Sequence, residues 1–408
     1  MPIKFREEFK TVGFFYVMTG IYWVSIGFMA AYWTLYFVDL GLNYSSIALV
    51  FLMYPISSLI FEIPTGAIAD VFGRKISVFL SYLITGLAFV GILLSGSNLP
   101  LLMLFYFIAG ISFTLETGAL EAWFVDTIKH KKKSEQLHRF FGRWGGISSL
   151  GFVIGPFLGG ILVRYGFDKA FWATSIGMII LAFFVLIFGK EDYFERKDVK
   201  IRKVLIETVK TGKRGFKHAF SHPIIFTLTV IMTLLTFATT ISYNSYQPYV
   251  VQVGLPPQFL GFALSIAGFI TIFSLNYSQK IVKFVGGNKS SLALFTFLFG
   301  IAILGIGFAK YLPVLFLSMI AYTSIGEFAA STAPAFRELF NKFVPSKIRA
   351  TVLSVNSFNM KIGEIFGLVA FGLISDYLDL KVGIILSGFV ITLISLIYLK
   401  IKNHQDSV

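Results

Sequence analysis

Four ionisable residues stand inside long apolar runs of the sequence, where a charged group is costly and usually serves a function. They are the acids Glu116, Glu327 and Glu364 and the cation Lys361. A carboxylate withdrawn from water keeps its proton to a higher pH, and an arriving cation competes with that proton for the same oxygens. These residues therefore predict proton or substrate-cation coupling, and Glu327 is the first choice because no cation lies near it in the sequence.

Lys361 and Glu364 are three residues apart in one apolar run, so a helix places both on one side. We expect an ion pair between them in preference to coupling by Glu364 alone. Such a pair can still open and close between conformations of the protein.

The composition places these residues in a membrane. Of the 408 residues, 56% are hydrophobic and only 14% are charged, whereas a soluble domain carries about 25% charged residues. Since about 20 apolar residues cross a bilayer and backbone in lipid must be hydrogen-bonded within its own segment, we expect an all-α membrane protein with twelve transmembrane helices. The apolar runs are 13–38, 45–69, 76–96, 99–127, 140–163, 168–189, 222–250, 257–282, 290–309, 312–338, 350–374 and 380–400.

The cations are unevenly distributed between the connections. Of the 35 lysines and arginines, 29 lie in the tails and even-numbered connections and 4 in the odd-numbered ones. Because lysine and arginine collect in cytoplasmic loops, we expect both termini and the central connection to face the cytoplasm from the plasma membrane. The net charge of +14 is then a feature of topology and lipid contact, and no nucleic-acid partner is expected.

One long polar stretch, residues 190–221, divides the apolar runs six and six. The halves also share the pattern Tyr-x-Val-x-x-Gly-Leu, at 36–42 and again at 249–255. We therefore expect two pseudo-symmetric six-helix bundles, 1–189 and 222–408, joined by a cytoplasmic central loop. Repeated halves are typical of carriers that bind substrate near the bilayer midplane and rock around it.

The sequence lacks the residues that several kinds of chemistry require. It has no cysteine, which excludes a disulfide framework, a thiolate metal site and a cysteine nucleophile. Its five histidines lie in or beside polar connections, and it contains no Gly-x4-Gly-Lys-(Ser/Thr) phosphate loop. We expect no enzyme, no metal and no cofactor, so an ion gradient or the solute's own gradient would drive transport.

The connection after the second run combines glycines, an acid and two cations. Its chemistry-bearing residues are Gly66, Asp70, Gly73, Arg74 and Lys75. It resembles the signature loop of the major facilitator superfamily, Gly-x-x-x-Asp-(Arg/Lys)-x-Gly-(Arg/Lys)-(Arg/Lys), except that Val71 replaces a cation. The resemblance, extended by the twelve-run layout, implies the fold of that superfamily (the MFS fold) over nearly the whole chain. It also implies a cytoplasmic latch in which Arg74 pairs with Asp126.

The fifth run carries a stripe of glycines that recur every four residues, together with a proline that can bend the helix. Small residues at such spacing let a neighbouring helix approach closely. The full spacing resembles the antiporter motif of drug/proton exchangers in the same superfamily, and this resemblance implies export. The six positions are Gly142, Gly151, Gly155, Pro156, Gly159 and Gly160.

Aromatic and amide residues of the first and seventh runs are the candidates for a substrate cavity. In the superfamily these two helices line the cavity, and aromatic rings can stack on a flat or cationic ligand. Amide groups are uncommon where a helix faces lipid. The candidates are Tyr22, Trp33, Tyr243, Asn244 and Gln247.

Together these features predict a monomeric carrier that exports small amphiphilic, drug-like compounds by alternating access across the lipid bilayer. Protons are the expected coupling ion, and sodium is the alternative. A solute importer or symporter and a lipid flippase of the same fold stay open as alternatives, although an importer has no evident need for all six positions of the antiporter pattern.

Overall fold

The computed structural model describes residues 5–191, 193–194, 223–331 and 349–400. Over these ranges the chain forms α-helices joined by short turns, with no β-strand among the described residues. The helices are α1 (Phe5–Gly27), α2 (Trp33–Asp39), α3 (Tyr44–Phe72), α4 (Arg74–Leu94), α5 (Leu99–Glu116), α6 (Ala119–His130), α7 (Leu137–Leu162), α8 (Phe167–Phe188), α9 (Pro223–Gln252), α10 (Gln258–Phe284), α11 (Asn288–Phe308), α12 (Leu312–Ser331), α13 (Arg349–Tyr377) and α14 (Leu380–Lys400).

Nine helical segments of the described chain are long and apolar enough to cross a membrane. Two shorter apolar helices, Gln258–Ile272 and Leu312–Gly326, accompany them. The protein is therefore an all-helical, multi-pass membrane protein. The count of twelve spans stays a prediction, since parts of the chain lie outside the described residues.

Most helix ends lie within a few residues of the apolar runs, because a span in lipid must be helical from one side to the other. Two predicted spans are nevertheless not single helices. Residues 28–32 separate α1 from α2 within the run 13–38, and residues 117–118 separate α5 from α6 within the run 99–127. Hydropathy missed both interruptions because it does not report backbone dihedral angles.

The chain separates into two compact units. The first comprises Met1–Leu40 and Val50–Ile206, and the second comprises Gly41–Leu49 and Glu207–Val408. The first turn of α3 thus belongs to the second unit, which no feature of the sequence predicted. The six-and-six division stays a prediction, and most of the predicted central loop lies outside the described residues.

Corresponding helices pack on each other in the two units. In the first unit α1 packs on α7, and α4 packs on α5 and α8. In the second unit α9 packs on α13, and α11 packs on α12 and α14. An internal repeat predicts this correspondence. The core of the first unit surrounds Trp123 and Phe124, both inaccessible to solvent, and fixes α6 against its neighbours.

Candidate functional site

The acid Glu116 is the last residue of α5 and lies well inside the apolar segment Leu99–His130. Its Oε1 atom accepts a hydrogen bond of 3.0 Å from the Tyr82 hydroxyl of α4. Tyr82 is 1% exposed, and the ring of Tyr22 from α1 lies 5.6 Å from the Tyr82 ring, centroid to centroid. The structure therefore brings two predicted residues, Glu116 and Tyr22, together around Tyr82, which the sequence analysis did not select.

No ion pair among the described residues includes Glu116. Its hydrogen-bonding partner is a neutral hydroxyl, so the carboxylate can lose or gain a proton without leaving a fixed cation uncompensated. This electrostatic setting is suited to a group that changes charge. The role of Glu116 in coupling stays a prediction.

The helix stops at Glu116 because the next two residues leave the α-helical conformation. Thr117 is extended, with φ −57° and ψ 126°. Gly118 has φ +77° and ψ −38°, a conformation that residues with a Cβ atom rarely adopt. Helix α6 then begins at Ala119. As a result, the carboxylate stands at a helix end rather than in the middle of a continuous span.

Trp33, the other predicted cavity residue of the first run, lies in an aromatic cluster at the start of α2. Its ring centroid is 5.5 Å from those of Phe89 and Phe171 and 6.2 Å from that of Tyr106. These contacts account for Trp33 by packing, and its place in a substrate cavity stays a prediction.

Arg74 and Asp126 form an ion pair, which is the pairing expected from the signature loop. Arg74 Nη1 contacts Asp126 Oδ2 and also donates to the carbonyl of Ala122 at 2.9 Å. Gly73, with φ +96°, turns the chain between α3 and α4 and so aims Arg74 at α6. Gly66 and Asp70 lie in the last two turns of α3. The action of the Arg74–Asp126 pair as a latch stays a prediction.

Glu191 completes the same connection, and the sequence analysis missed it. Its Oε1 accepts the backbone N–H of Arg74 at 3.0 Å and its Oε2 accepts that of Lys75 at 2.9 Å. A carboxylate at a helix N-terminus satisfies unpaired donors and faces the positive end of the helix dipole. Glu191 stands in a polar stretch far along the sequence, so only the fold discloses this contact.

The residues around Glu191 pack onto α6. The Tyr193 hydroxyl lies 2.7 Å from the Thr127 hydroxyl and donates to the Trp123 carbonyl at 3.2 Å. Its ring stacks on His130 with centroids 4.9 Å apart, and Trp123 Nε1 donates to the Lys190 carbonyl at 3.2 Å. Burial raises the pKa of Tyr193 to about 12.

The glycine stripe of α7 packs directly against α1. A Cβ atom added at Gly155 would lie 2.6 Å from the Val24 carbonyl oxygen and 2.7 Å from Gly27 Cα. One added at Gly151 would lie 2.7 Å from Trp23 Cβ. The stripe is therefore needed for close approach of two helices.

The other positions of the antiporter pattern differ in how closely they are packed. An added Cβ at Gly159 would collide with the Phe28 carbonyl, whereas one at Gly142 meets nothing within 4 Å. Pro156 and Gly160 are buried in α7. The pattern thus combines close-packed positions with Gly142, which is open.

Three predicted cavity residues lie on α9 in the second unit. Tyr243 is 37% exposed, while Asn244 is 5% exposed and Gln247 is inaccessible. Asn244 Nδ2 donates to the Thr240 carbonyl of its own helix at 2.8 Å. Tyr243 is the most accessible of the three, and their place in a substrate cavity stays a prediction.

Lys361 and Glu364 both lie half-buried on α13, but no described ion pair joins them. The expected ion pair stays a prediction. A spacing of three residues puts two side chains on the same side of a helix without bringing their charged atoms into contact. The Glu327 backbone lies in α12, but its side chain lies outside the described residues, so its coupling role stays a prediction.

Asp376 of α13 caps the first turn of α3 within the second unit, and the sequence analysis missed it. Its Oδ1 accepts the Tyr44 N–H at 2.9 Å and its Oδ2 accepts the Ser45 N–H at 2.8 Å. Gly372 permits this approach, because an added Cβ there would lie 2.9 Å from Ala48 Cβ. Residues 372–376 repeat the Gly-x-x-x-Asp spacing of 66–70, a signal that could have found them.

A buried ion-pair cluster fixes the start of α1 to α7 and was also missed. Glu8 is inaccessible to solvent and accepts a 2.8 Å hydrogen bond from the Tyr16 hydroxyl. Its Oε2 pairs with Arg143 Nη1 and lies 3.4 Å from Arg139 Nη2.

The described residues contain no group of three or more histidine, aspartate or glutamate side chains that could hold a metal.

A multi-pass helical protein with an acid inside a broken span and an arginine–carboxylate pair at a helix connection has the features of a membrane carrier. Comparison with known proteins names the class. Residues 12–309 match the model of the Major Facilitator Superfamily, so the chain belongs to this family. It is a membrane transporter and not an enzyme.

Two sequence relatives and one solved structure are similar to this chain. The MFS-type transporter YxaM of Bacillus subtilis is 22% identical over 422 residues, with 96% of each chain covered. The quinolone resistance protein NorA of Staphylococcus aureus is 23% identical over 408 residues, with 97% of each covered. The crystal structure of the nucleoside transporter NupG superposes with a TM-score of 0.75 at 13% identity, covering 95% of this chain and 98% of the other.

Proposed function

We propose that the protein is a secondary active exporter that exchanges protons for small amphiphilic, cationic compounds. The observation that carries the proposal is the Glu116 carboxylate, set in an apolar segment with the Tyr82 hydroxyl as its hydrogen-bonding partner. A carboxylate in this place is most stable when protonated or when neutralised by a bound cation. Proton and substrate therefore compete for Glu116, and that competition is the exchange.

Export, rather than import, is supported by two independent observations. The glycine stripe of α7 has all six positions of the antiporter pattern, and its central glycine Gly155 lies against α1 so closely that a methyl group would not fit. NorA, which covers 97% of this chain, is named for quinolone resistance, and resistance to a drug is what its export provides.

The proposed cycle is alternating access by two six-helix bundles in the plasma membrane, with both termini in the cytoplasm and a monomer as the working unit. The Arg74–Asp126 pair would close the cytoplasmic side in one state and open in the other. Tyr22 would contribute an aromatic face beside Glu116, where a cation gains from the ring quadrupole.

Transport by purified protein in liposomes, with the membrane potential clamped, tests the proposal. Because an antiporter moves substrate against the flow of protons, vesicles with an acidic interior should accumulate the cation tetraphenylphosphonium. Accumulation in vesicles with an alkaline interior would indicate proton symport. Accumulation that requires only a sodium gradient would indicate that sodium is the coupling ion. Either result would overturn proton antiport.

The substitution Glu116→Gln tests the assigned residue within the same assay. It keeps the shape of the side chain and removes the exchangeable charge, so gradient-driven accumulation should fall to the level of protein-free liposomes. The matched control is Glu135→Gln, which alters an exposed acid in the turn before α7 and should leave accumulation unchanged. Accumulation retained in Glu116→Gln would exclude this residue and direct the same test to Glu327→Gln.

A further inference from the structure

The connection between α6 and α7 contains three consecutive lysines, Lys131–Lys133. It joins the apolar segments Leu99–His130 and Ser134–Tyr165, so it lies at the surface of the membrane, at the depth of the lipid headgroups. The proposed transport cycle does not use these lysines. Their side chains nevertheless have a defined arrangement within the first unit.

Two of the three ammonium groups converge on one residue of α1. Lys131 Nζ donates to the Thr11 carbonyl at 3.0 Å and to the Lys10 carbonyl at 3.1 Å. Lys133 Nζ donates to the Thr11 hydroxyl at 3.1 Å. Two like charges therefore lie beside the same residue, although their mutual repulsion disfavours such an arrangement.

The backbone turn between the two lysines is strained. Lys132 has φ +54° and is the only described residue other than glycine with a positive φ. Its N–H donates to the Lys129 carbonyl at 2.9 Å, and the Lys133 N–H donates to the Ile128 carbonyl at 3.1 Å. These bonds form a helix-ending turn that usually has glycine at the position of Lys132. Strain of this kind is concentrated at functional sites, and here it accompanies two lysines that contact α1.

A third cation, Lys190, follows the end of α8 and adds to the positive charge. Burial lowers the pKa of Lys131, and the charges of Lys133 and Lys190 lower it further. No ion pair within the described part of the chain includes any of these three lysines. The hydrogen-bonding partners of Lys131 and Lys133 are all neutral, so the positive charge of the group is not compensated by them.

The two converging ammonium groups have donors left for a ligand. An ammonium group has three N–H donors, of which Lys131 uses two and Lys133 uses one. Three of their six donors therefore remain. An anion that accepts them forms charge-assisted bonds and relieves the repulsion between the cations. A phosphate group suits this task because its oxygens surround one atom and accept from several donors at once.

We propose that Lys131, Lys133 and Lys190 bind a phosphate group, supplied by an anionic lipid headgroup or by a soluble phosphate. The lipid headgroup is the expected source, because the connection lies at the membrane surface and basic segments there attract anionic lipids. The bound phosphate ties α1 to the connection between α6 and α7 and so stabilises the first unit. The site requires neither a substrate nor an ion gradient, so it is independent of the proposed transport.

Thermal unfolding of the purified full chain in detergent tests the site, because a ligand that binds the folded state raises the melting temperature. Dihexanoyl phosphatidylglycerol should raise it by several degrees more than the zwitterionic dihexanoyl phosphatidylcholine. Inorganic phosphate is compared with chloride at equal ionic strength, and a rise of similar size there would identify a soluble phosphate as the source. Equal melting temperatures with the two lipids, without an effect of phosphate, would overturn the proposal.

The double variant Lys131→Gln with Lys133→Gln removes both converging charges and should abolish the difference between the two lipids. The matched control is Lys280→Gln with Lys283→Gln, which removes two exposed lysines at the end of α10 and changes the net charge equally. The control should keep the difference of the unaltered protein. A full difference in the first double variant, or its loss in both, would overturn the assigned site.

Two further variants keep the test decisive if the glutamine double variant fails to fold. Lys190→Gln alters an exposed side chain outside the helices and should weaken the affinity for phosphatidylglycerol several-fold. Lys131→Arg with Lys133→Arg keeps both charges and their donors, so the difference between the lipids should persist. Unchanged affinity in Lys190→Gln, or loss of the difference in the folded arginine variant, would contradict a site held by these charges.

Discussion

The Tyr82 hydroxyl lies 3.0 Å from Glu116 Oε1 and links α4 to the end of α5 across a separation of 34 residues. The bond is made by a buried tyrosine to an acid, and the ring of a second tyrosine, Tyr22, packs beside it. A hydroxyl donor stabilises the charged carboxylate without neutralising it. The acid is therefore held in one orientation, in which its charge is available to a cation once the proton has left.

Replacement of Tyr82 by phenylalanine should weaken transport without unfolding the protein. Tyr82→Phe removes a hydrogen bond to a charged group, which is worth about 1.5–3 kcal/mol, and this corresponds to a loss of roughly 10- to 100-fold in affinity for a cation at Glu116. Binding of tetraphenylphosphonium to purified protein measures the change.

The control for that measurement is Tyr165→Phe, because Tyr165 is 75% exposed. The affinity of Tyr165→Phe for tetraphenylphosphonium should equal that of the unaltered protein. If Tyr82→Phe binds the cation as well as the control does, Glu116 does not bind the cation with the help of Tyr82.

The Arg74–Asp126 pair should control the rate of the cycle and not the binding of substrate. Arg74→Ala and Asp126→Asn each remove one member, so each should slow gradient-driven transport several-fold while binding stays within about twofold. The exchanged variant Arg74→Asp with Asp126→Arg restores opposite charges at one connection and should recover part of the rate. Stopped-flow transport and equilibrium binding on the same preparations measure both quantities, and loss of binding in both single variants would contradict a latch.

Glu191 should stabilise the start of α4. Glu191→Ala leaves the backbone N–H groups of Arg74 and Lys75 without their carboxylate acceptor, and loss of such a cap costs about 0.5–2 kcal/mol. The melting temperature in detergent should fall by a few degrees, whereas Glu135→Ala, which alters an exposed acid, should leave it unchanged. Equal melting temperatures in the two variants would show that water replaces the Glu191 contact at no cost.

Much of the fold follows from local rules that the sequence carries. Apolar runs predict helices because lipid allows no unpaired backbone, and the ends of α8 and α14 lie within one residue of the predicted ones. The Arg74–Asp126 pair was expected because a short, specific pattern marks one partner and the acid of the fourth run supplies the other.

What the sequence did not disclose depends on groups far apart in the chain or on backbone angles. Glu191 caps a helix that begins 117 residues earlier and has no local signal. Asp376 caps one that begins 332 residues earlier, and its Gly-x-x-x-Asp spacing marks the residue without naming its partner. The interruption at Gly118 is invisible to hydropathy because Thr117 and Gly118 stand within an apolar run. The expected Lys361–Glu364 pair stays a prediction, because spacing alone does not fix the rotamers of two long side chains.

Two glycines of the antiporter pattern should respond in opposite ways to alanine. Gly155→Ala places a methyl group 2.6 Å from the Val24 carbonyl oxygen, which forces α7 from α1 and costs about 1–3 kcal/mol. Gly142→Ala meets nothing within 4 Å in a helix and should gain up to about 1 kcal/mol from helix propensity. Thermal unfolding of both variants measures the difference. A melting temperature for Gly155→Ala as high as that for Gly142→Ala would exclude close packing as the reason for the stripe.

The Glu8 cluster should contribute to stability through its arginines. Glu8→Ala removes the carboxylate that pairs with Arg139 and Arg143, but these side chains are 33% and 37% exposed, so water offsets part of the penalty. We expect a loss of about 2 kcal/mol, below the 3–5 kcal/mol typical of a broken, fully buried pair. The double variant Glu8→Ala with Arg143→Ala also removes one of the two cations that pair with Glu8 and should melt at a higher temperature than Glu8→Ala alone. The opposite result is that Arg143→Ala lowers the melting temperature of Glu8→Ala by as much as it lowers that of the unaltered protein. The two residues would then act independently, and the cluster would be held by packing rather than by charge.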